Sequence, residues 1–178
     1  MIITKKTRAH AAVTTILYML CLIWVVALKC NMHAAVTDSI IYNRTMGLFE
    51  RAAMYMGYFA KTTLEDAIVN IIIFVPVGLL LPFFFEEHPC LKALLIGFMM
   101  TWAFELFQIV SCIGGFTYID IINNTAGTAI GCITHAILRE RVDGKVARVA
   151  LDVTGVMALG ILVFAIYNTV KNIHIYFI

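Results

Sequence analysis

The feature that most constrains this sequence is a succession of long apolar runs with few charges inside them. A helix needs roughly 20 apolar residues to cross about 30 Å of hydrocarbon, because each residue adds about 1.5 Å. Runs of about this length lie at residues 11–28, 67–85, 93–113, 121–138 and 149–167. The sequence therefore predicts an all-α fold, a single domain spanning residues 1–178 and built as a polytopic transmembrane bundle of about five helices.

Composition excludes a water-soluble globule. Charged residues make up 13% of the 178-residue chain and hydrophobic residues 62%, whereas a soluble domain carries about 25% charged residues. Lys5, Lys6 and Arg8 precede the first run as they would in a signal peptide, but the run exceeds the 7–15 residues of the usual apolar region of such peptides. An uncleaved membrane anchor is the favoured interpretation.

The distribution of Lys and Arg predicts the orientation in the membrane. If the N-terminus is cytoplasmic, eight of the 13 Lys and Arg residues fall on the cytoplasmic side, and four of the remaining five lie in the long segment 29–66. Positive charge concentrates on the inner side, so we expect a cytoplasmic N-terminus and an external C-terminus in a bacterial cell membrane. Segment 29–66 is then an external loop, which either lies along the interface as an amphipathic helix or packs as an ordinary loop.

Charge and cysteine usage exclude several kinds of site. The formal charge of +2 comes from scattered residues, so no nucleic-acid footprint is expected. The five cysteines are odd in number, lack CxxC spacing and mostly lie in apolar runs, where a thiol packs as a small hydrophobe. We expect no metal site, no cofactor and no disulfide framework.

Polar residues inside three of the predicted spans form the main candidate site. Glu105 and Gln108 share one helix face, Asp120 and Asn124 share another, and Asn70 lies in the second span. At 1.5 Å per residue, Asn70 and Asn124 lie roughly 6 Å, Gln108 about 9 Å and Glu105 about 13 Å below the outer boundary. All five positions therefore fall in one half of the membrane. An ionisable group in a span is a functional-site hypothesis by default, although amides also stabilise helix packing.

Prolines and glycines in two spans predict close helix packing. Pro76 interrupts the second span beside Gly78, and a proline removes one backbone hydrogen bond. Gly127 and Gly131 form a GxxxG motif in the fourth span, which indicates a close helix contact within the bundle or in a homodimer.

These motifs together resemble the VanZ-like family. The resemblance rests on Asn70-Ile-Ile-Ile-Phe74-Val-Pro76-Val-Gly78, on Glu105-Leu-Phe-Gln108, and on Asp120-Ile-Ile-Asn-Asn124-Thr125-Ala-Gly127 with Gly131. Where the family pattern has an outer-turn Arg and further acids, this chain has Gly114, Thr117 and Ile119, which marks it as a divergent member.

The resemblance implies a bacterial membrane protein of the cell envelope. The family takes its name from an accessory gene of glycopeptide resistance associated with teicoplanin, and no settled biochemical activity comes with it. The family motifs coincide with the five polar positions, which favours a ligand-binding site over packing alone.

Three functions remain open on the sequence. The leading hypothesis is a non-enzymatic protein that binds or shields a membrane lipid or other amphiphile in an outward-facing polar groove. The alternative is an enzyme acting on a lipid-linked substrate, with Glu105 and Asp120 as acid and base. A small transporter or an assembly subunit, acting as a homodimer or with a partner membrane protein, is the third.

Overall fold

The protein is a helical bundle, as the apolar runs predict. The computed structural model describes residues 5–27, 45–50, 64–111, 116–141, 151–160, 163 and 166–167. Its helices are α1 (Lys5–Leu22), continued by a π-helical turn (Ile23–Ala27); α2 (Leu64–Leu80), continued by a 3-10 turn (Leu81–Phe84); α3 (Pro89–Ser111); α4 (Tyr118–Arg141); and α5 (Leu151–Gly160). Within these residues the fold is all-α.

Among the described residues, three helices are long and apolar enough to cross a membrane. They cover Arg8–Val25, Asp66–Phe84 and Pro89–Ser111, which correspond to the first three predicted spans. Helix α4 contains the fourth predicted span and has 24 residues, but it is less apolar. The fifth predicted span is described mainly as the short apolar helix α5. A count of five spans therefore stays a prediction, and most of the predicted loop 29–66 lies outside the described residues.

Contacts at both ends of α1 show how the helices alternate. Arg8, near the start of α1, forms an ion pair of 2.8 Å with Glu86, which follows α2. Near the other end of α1, the Cys21 thiol donates to the carbonyl oxygen of Ala158 on α5 at 2.8 Å. Helix α1 is therefore antiparallel to α2 and parallel to α5, as an up-and-down bundle requires.

Helices α2 and α4 pack backbone against backbone. A Cβ atom added at Gly131 would lie 2.8 Å from the Leu79 nitrogen and closer still to the Val75 carbonyl oxygen. An added Cβ at Gly127 would likewise clash with the backbone of α2, and one at Gly78 with the backbone of α4. The GxxxG motif thus makes its close contact inside the bundle, and any larger residue would push the two helices apart.

The two faces of α4 are reversed relative to a helix of a soluble protein. Its exposed stripe contains Ile122, Ile130, Ile133 and Ile137, whereas its buried face carries Asn124, Thr128 and His135. An apolar exterior and a polar interior fit a helix surrounded by lipid, where polar groups must be satisfied within the protein. The polar inner face also explains why α4 is less apolar than α1–α3.

Of the two prolines of the second span, only Pro82 coincides with the end of α2. Pro76 lies inside the helix, and Pro82 lies in the 3-10 turn where the α-helical pattern ends. At this end the Leu79 carbonyl oxygen is bonded by His135 Nδ1 at 3.0 Å, and the His135 ring stands edge-on to Phe83. His135 therefore joins α4 to the irregular end of α2.

Candidate functional site

Polar side chains from α2, α3 and α4 meet at the end of the bundle where α3 is followed by α4. We call this group the polar cluster; its members are Asn70 on α2, Thr101, Glu105 and Gln108 on α3, and Asp120 and Asn124 on α4. Glu105, Gln108 and Asn124 are 1–2% exposed, and Asp120 is 9% exposed. Hydrogen bonds join Asn70 to Asp120 and Asn124 to Thr101, and Glu105 and Gln108 are buried on one face of α3.

Glu105 accepts a hydrogen bond from the chain that leads into α4. The Thr117 backbone N–H donates to Glu105 Oε2 at 2.9 Å. Thr117 is itself the N-cap of α4, because its Oγ1 accepts from the Ile119 N–H at 3.2 Å and its carbonyl oxygen accepts from the Ile121 N–H at 3.5 Å. In a capping box, a residue three positions into the helix would accept from the N-cap N–H. Here Glu105, from a different helix, supplies that acceptor.

Asp120 occupies the third position of α4 and binds across to α2. Asn70 Nδ2 donates to Asp120 Oδ1 at 2.6 Å. A carboxylate in the first turn of a helix is favoured by the partial positive charge at the helix N-terminus. Because this pair is only partly buried, it lies at the rim of the cluster, whereas Glu105 lies within it.

Asn124 forms the deepest layer of the cluster. Its Nδ2 donates to Thr101 Oγ1 at 2.8 Å, and its carbonyl oxygen accepts from Thr128 Oγ1 at 3.0 Å. The depth order inferred from sequence therefore needs revision, since Glu105 reaches the helix start while Asn124 lies beneath it. One reason is that α4 begins at Tyr118 rather than near residue 121, which carries Asn124 about 4–5 Å further from the helix start. The other is that α3 ends at Ser111 rather than near residue 114, which brings Glu105 about 4–5 Å closer to the end of its helix.

Two buried side-chain amide atoms on α4 have no hydrogen-bond partner within the protein. They are Asn123 Nδ2, a donor, and Asn124 Oδ1, an acceptor. An unsatisfied buried polar atom costs about 1–3 kcal/mol, so native structures normally fill such atoms with water, an ion or a ligand. An ordered water molecule or a polar ligand group can supply the missing partners.

Three contributing residues lay outside the candidate set drawn from the sequence. Thr101 precedes Glu105 by one helical turn, so helical spacing on α3 carried a signal for it. Thr117 stands three residues before Asp120, which is capping-box spacing. Asn123 stands beside Asn124 in the sequence, and its Nδ2 atom is buried. Gly114, where the family pattern has an Arg, lies outside the described residues.

The sequence that contains the polar cluster is similar to known proteins. The sequence model of the VanZ/LLP1 family matches residues 15–139, which contain the whole polar cluster. The chain is also similar to Protein VanZ of Enterococcus faecium, with 26% identity over 153 residues, which is 86% of this chain and 89% of that protein. No solved structure matches the chain.

Proposed function

The chain belongs to the VanZ/LLP1 family, and on that premise we propose that it is a non-enzymatic membrane protein that binds or shields a cell-surface amphiphile at the polar cluster. The ligand class is a lipoglycopeptide antibiotic such as teicoplanin, or an envelope-lipid precursor. The residues proposed to form the site are Asn70, Glu105, Gln108, Asp120 and Asn124. The cluster is proposed to face outward, in line with the distribution of Lys and Arg.

The observation that carries this proposal is the pair of unsatisfied amide atoms of Asn123 and Asn124 on α4, where Asn124 lies one helical turn beneath the partly buried Asn70–Asp120 pair. Asn124 Oδ1 can accept a hydrogen bond from a ligand, and Asn123 Nδ2 can donate one to a ligand. A hydroxyl-rich or amide-rich headgroup supplies both. Filling the two atoms would remove a cost of about 1–3 kcal/mol for each, which is a source of binding free energy available to such a headgroup.

Exposed apolar side chains next to the rim suit the hydrocarbon part of an amphiphile. Val69 and Ile72 flank Asn70 on α2 and are 53% and 57% exposed, and Ile122 follows Asp120 on α4 and is 65% exposed. An acyl chain seated on this surface would leave its headgroup level with the Asn70–Asp120 pair. This division between apolar seat and polar anchor is typical of small-molecule sites.

The two carboxylates would have different roles in binding. Glu105 is held by the Thr117 N–H and is 2% exposed, so we assign it to positioning the start of α4. Asp120 lies at the rim and is bonded by the side chain of Asn70. We assign direct contact with the headgroup to this pair.

Binding is tested with the full chain in nanodiscs, titrated with teicoplanin and, as a matched ligand, with a glycopeptide that lacks an acyl chain. The key variant is the double substitution Asn70→Leu and Asp120→Leu, because replacing both partners of a hydrogen bond by apolar groups of similar shape is nearly neutral for stability. We expect the affinity for teicoplanin to fall about tenfold or more, a loss of at least about 1.4 kcal/mol.

The control variant is Thr134→Val, at the other end of α4, where the Thr134 hydroxyl donates to a carbonyl of its own helix. Unchanged affinity in the double variant, or equal binding of the glycopeptide without an acyl chain, would contradict the proposal. Co-purified lipids, identified by mass spectrometry from wild type and double variant, test the envelope-lipid class in the same preparation.

Glu105→Gln separates binding from an enzymatic role. The glutamine retains an oxygen that accepts from the Thr117 N–H, so a role in binding survives the change, whereas proton transfer by the carboxyl does not. We expect Glu105→Gln to bind teicoplanin within about threefold of wild type, a difference of under about 0.7 kcal/mol. Conversion of a lipid-linked substrate by wild type, lost in Glu105→Gln, would replace the binding proposal with an enzymatic one.

A further inference from the structure

Two cysteines from different helices lie in reciprocal contact at the end of the bundle opposite the polar cluster. The Cys90 Sγ is 3.5 Å from the carbonyl oxygen of Cys132, and the Cys132 Sγ is 3.5 Å from the carbonyl oxygen of Cys90. The two residues are 42 positions apart, Cys90 at the start of α3 and Cys132 in the second half of α4. Both are free thiols in this structure.

Reciprocal contact of this kind sets the two side chains beside each other. Each thiol reaches the backbone of the residue that carries the other thiol, so the two Cβ–Sγ bonds lie in the same narrow space between α3 and α4. A disulfide needs Cβ atoms about 3.5–4.5 Å apart and side chains that point toward each other. The reciprocal contacts show that the side chains of Cys90 and Cys132 point toward each other's residue.

We propose that Cys90 and Cys132 are a redox modification site, which forms a reversible intramolecular disulfide by exchange with a small-molecule disulfide. One cysteine thiolate attacks a sulfur of the small disulfide, forms a mixed disulfide and releases one small thiol. The second cysteine thiolate attacks the protein sulfur of the mixed disulfide and releases the other small thiol. The cysteine pair loses two electrons and two protons, and the small disulfide gains them as it becomes two thiols.

Exposure assigns the order of attack. Cys132 is 6% exposed, whereas Cys90 is half-buried and follows the exposed turn of Glu86, Glu87 and His88. A soluble disulfide therefore reaches Cys90 first, and Cys132 resolves the mixed disulfide from inside the bundle. The distribution of Lys and Arg predicts that this end faces the cytoplasm, where thiols rest in the reduced form and disulfides are transient.

The bond would close a loop that contains most of the polar cluster. Residues 91–131 lie between the two cysteines and carry Thr101, Glu105, Gln108, Asp120 and Asn124. A cross-link that closes a long loop restricts the unfolded chain and so stabilises the fold. Oxidation at one end of the bundle would therefore stabilise the helical hairpin whose other end holds the polar side chains.

The test uses the full chain in detergent with Cys21, Cys30 and Cys112 replaced by Ser, treated with oxidised glutathione. We expect the mass to fall by two hydrogens, both maleimide-reactive thiols to disappear, and dithiothreitol to restore both. The apparent melting temperature rises on oxidation. A matched protein that keeps Cys21 and Cys90 but carries Cys132→Ser also has two thiols, and we expect it to stop at the glutathione adduct.

Two results would overturn the proposal. One is a stable glutathione adduct on the protein that holds both Cys90 and Cys132, and the other is a cross-linked dimer in place of the internal bond. If the serine background does not fold, wild-type protein is oxidised, blocked with maleimide and digested. A peptide pair joined through Cys90 and Cys132 then supports the proposal, and maleimide on both residues refutes it.

Discussion

Replacing Gly131 by Ala tests the claim that contact between α2 and α4 positions the polar cluster. The added Cβ would lie 2.8 Å from the Leu79 nitrogen and nearer to the Val75 carbonyl oxygen, whereas an ordinary C···O contact is about 3.3–3.6 Å. The helices must therefore separate by at least about 0.5 Å at Leu79 and by more at Val75. Both neighbours are backbone atoms, so no side chain can rotate away to relieve the overlap.

The expected cost follows from two opposing terms. Overpacking a tight interface costs typically 1–3 kcal/mol, and we take about 3 kcal/mol here because the clash is with backbone. Alanine in place of glycine inside a helix returns about 1 kcal/mol. The net expectation is a loss of about 2 kcal/mol in the free energy of unfolding, or a roughly 30-fold change in the ratio of folded to unfolded protein.

The assay is equilibrium unfolding in mixed micelles, with Gly160→Ala as the matched control. A Cβ at Gly160, which lies in α5, would meet no atom within 4 Å, so this variant should gain up to about 1 kcal/mol from helix propensity alone. Gly131→Ala should also weaken teicoplanin binding, because α2 carries Asn70 and α4 its partner. If Gly131→Ala is as stable as Gly160→Ala, the close approach of α2 and α4 described above is refuted.

Three further predictions concern individual polar contacts. Thr101→Val removes the acceptor for the Asn124 amide and should lower the free energy of unfolding by about 1–3 kcal/mol, measured in the same micelles. Asn70→Leu alone should cost about 1–3 kcal/mol, because its carboxylate partner on α4 loses that donor. Arg8 beside Glu86 holds the pKa of that carboxyl below its ordinary value of 4.5. The stability from this pair is therefore present above about pH 4.5 and is lost as the pH falls through the lower pKa of the folded protein, so the melting temperature should drop there in low salt but not in Glu86→Gln.

Each of these predictions has its own control. For Thr101, Thr134→Val makes the same chemical change where the hydroxyl bonds its own helix, and equal losses in the two variants would argue against a special contact. For Asn70, adding Asp120→Leu should recover most of the lost stability, and a further loss would contradict the paired arrangement. For Glu86, the neighbouring Glu87→Gln should keep the acidic drop in melting temperature.

The helices could be predicted from the sequence because a chain that crosses lipid must satisfy its backbone hydrogen bonds internally, and an α-helix does so. Long apolar runs read directly as helices where backbone groups must be satisfied within the chain, and α1, α2 and α3 coincide with the first three runs. The close packing at Gly131 was also predictable, since small residues one turn apart leave one face of a helix open to a neighbour. Helical spacing likewise placed Glu105 and Gln108 on one buried face.

The hydrogen-bond partners could not be predicted from the same patterns. The hydrogen-bond partner of Glu105 depends on where α4 begins and on how each helix is rotated about its axis. Helix α4 begins three residues earlier than predicted, and this difference changed the depth of Asn124. The meeting of Cys90 and Cys132 depends on the length of two helices and of the segment between them. Spacing along the chain, 42 residues in that case, carries no signal for it.

The reversed faces of α4 differ in the substitutions that they can accept. The predicted fourth span places the exposed isoleucines of α4 against hydrocarbon, where valine, leucine or phenylalanine would make equivalent contacts. On the inner face Gly131 fits against the backbone of α2, and Asn124 pairs with Thr101 on α3. A substitution on the inner face therefore requires a compensating substitution in α2 or α3, whereas a substitution on the outer face does not.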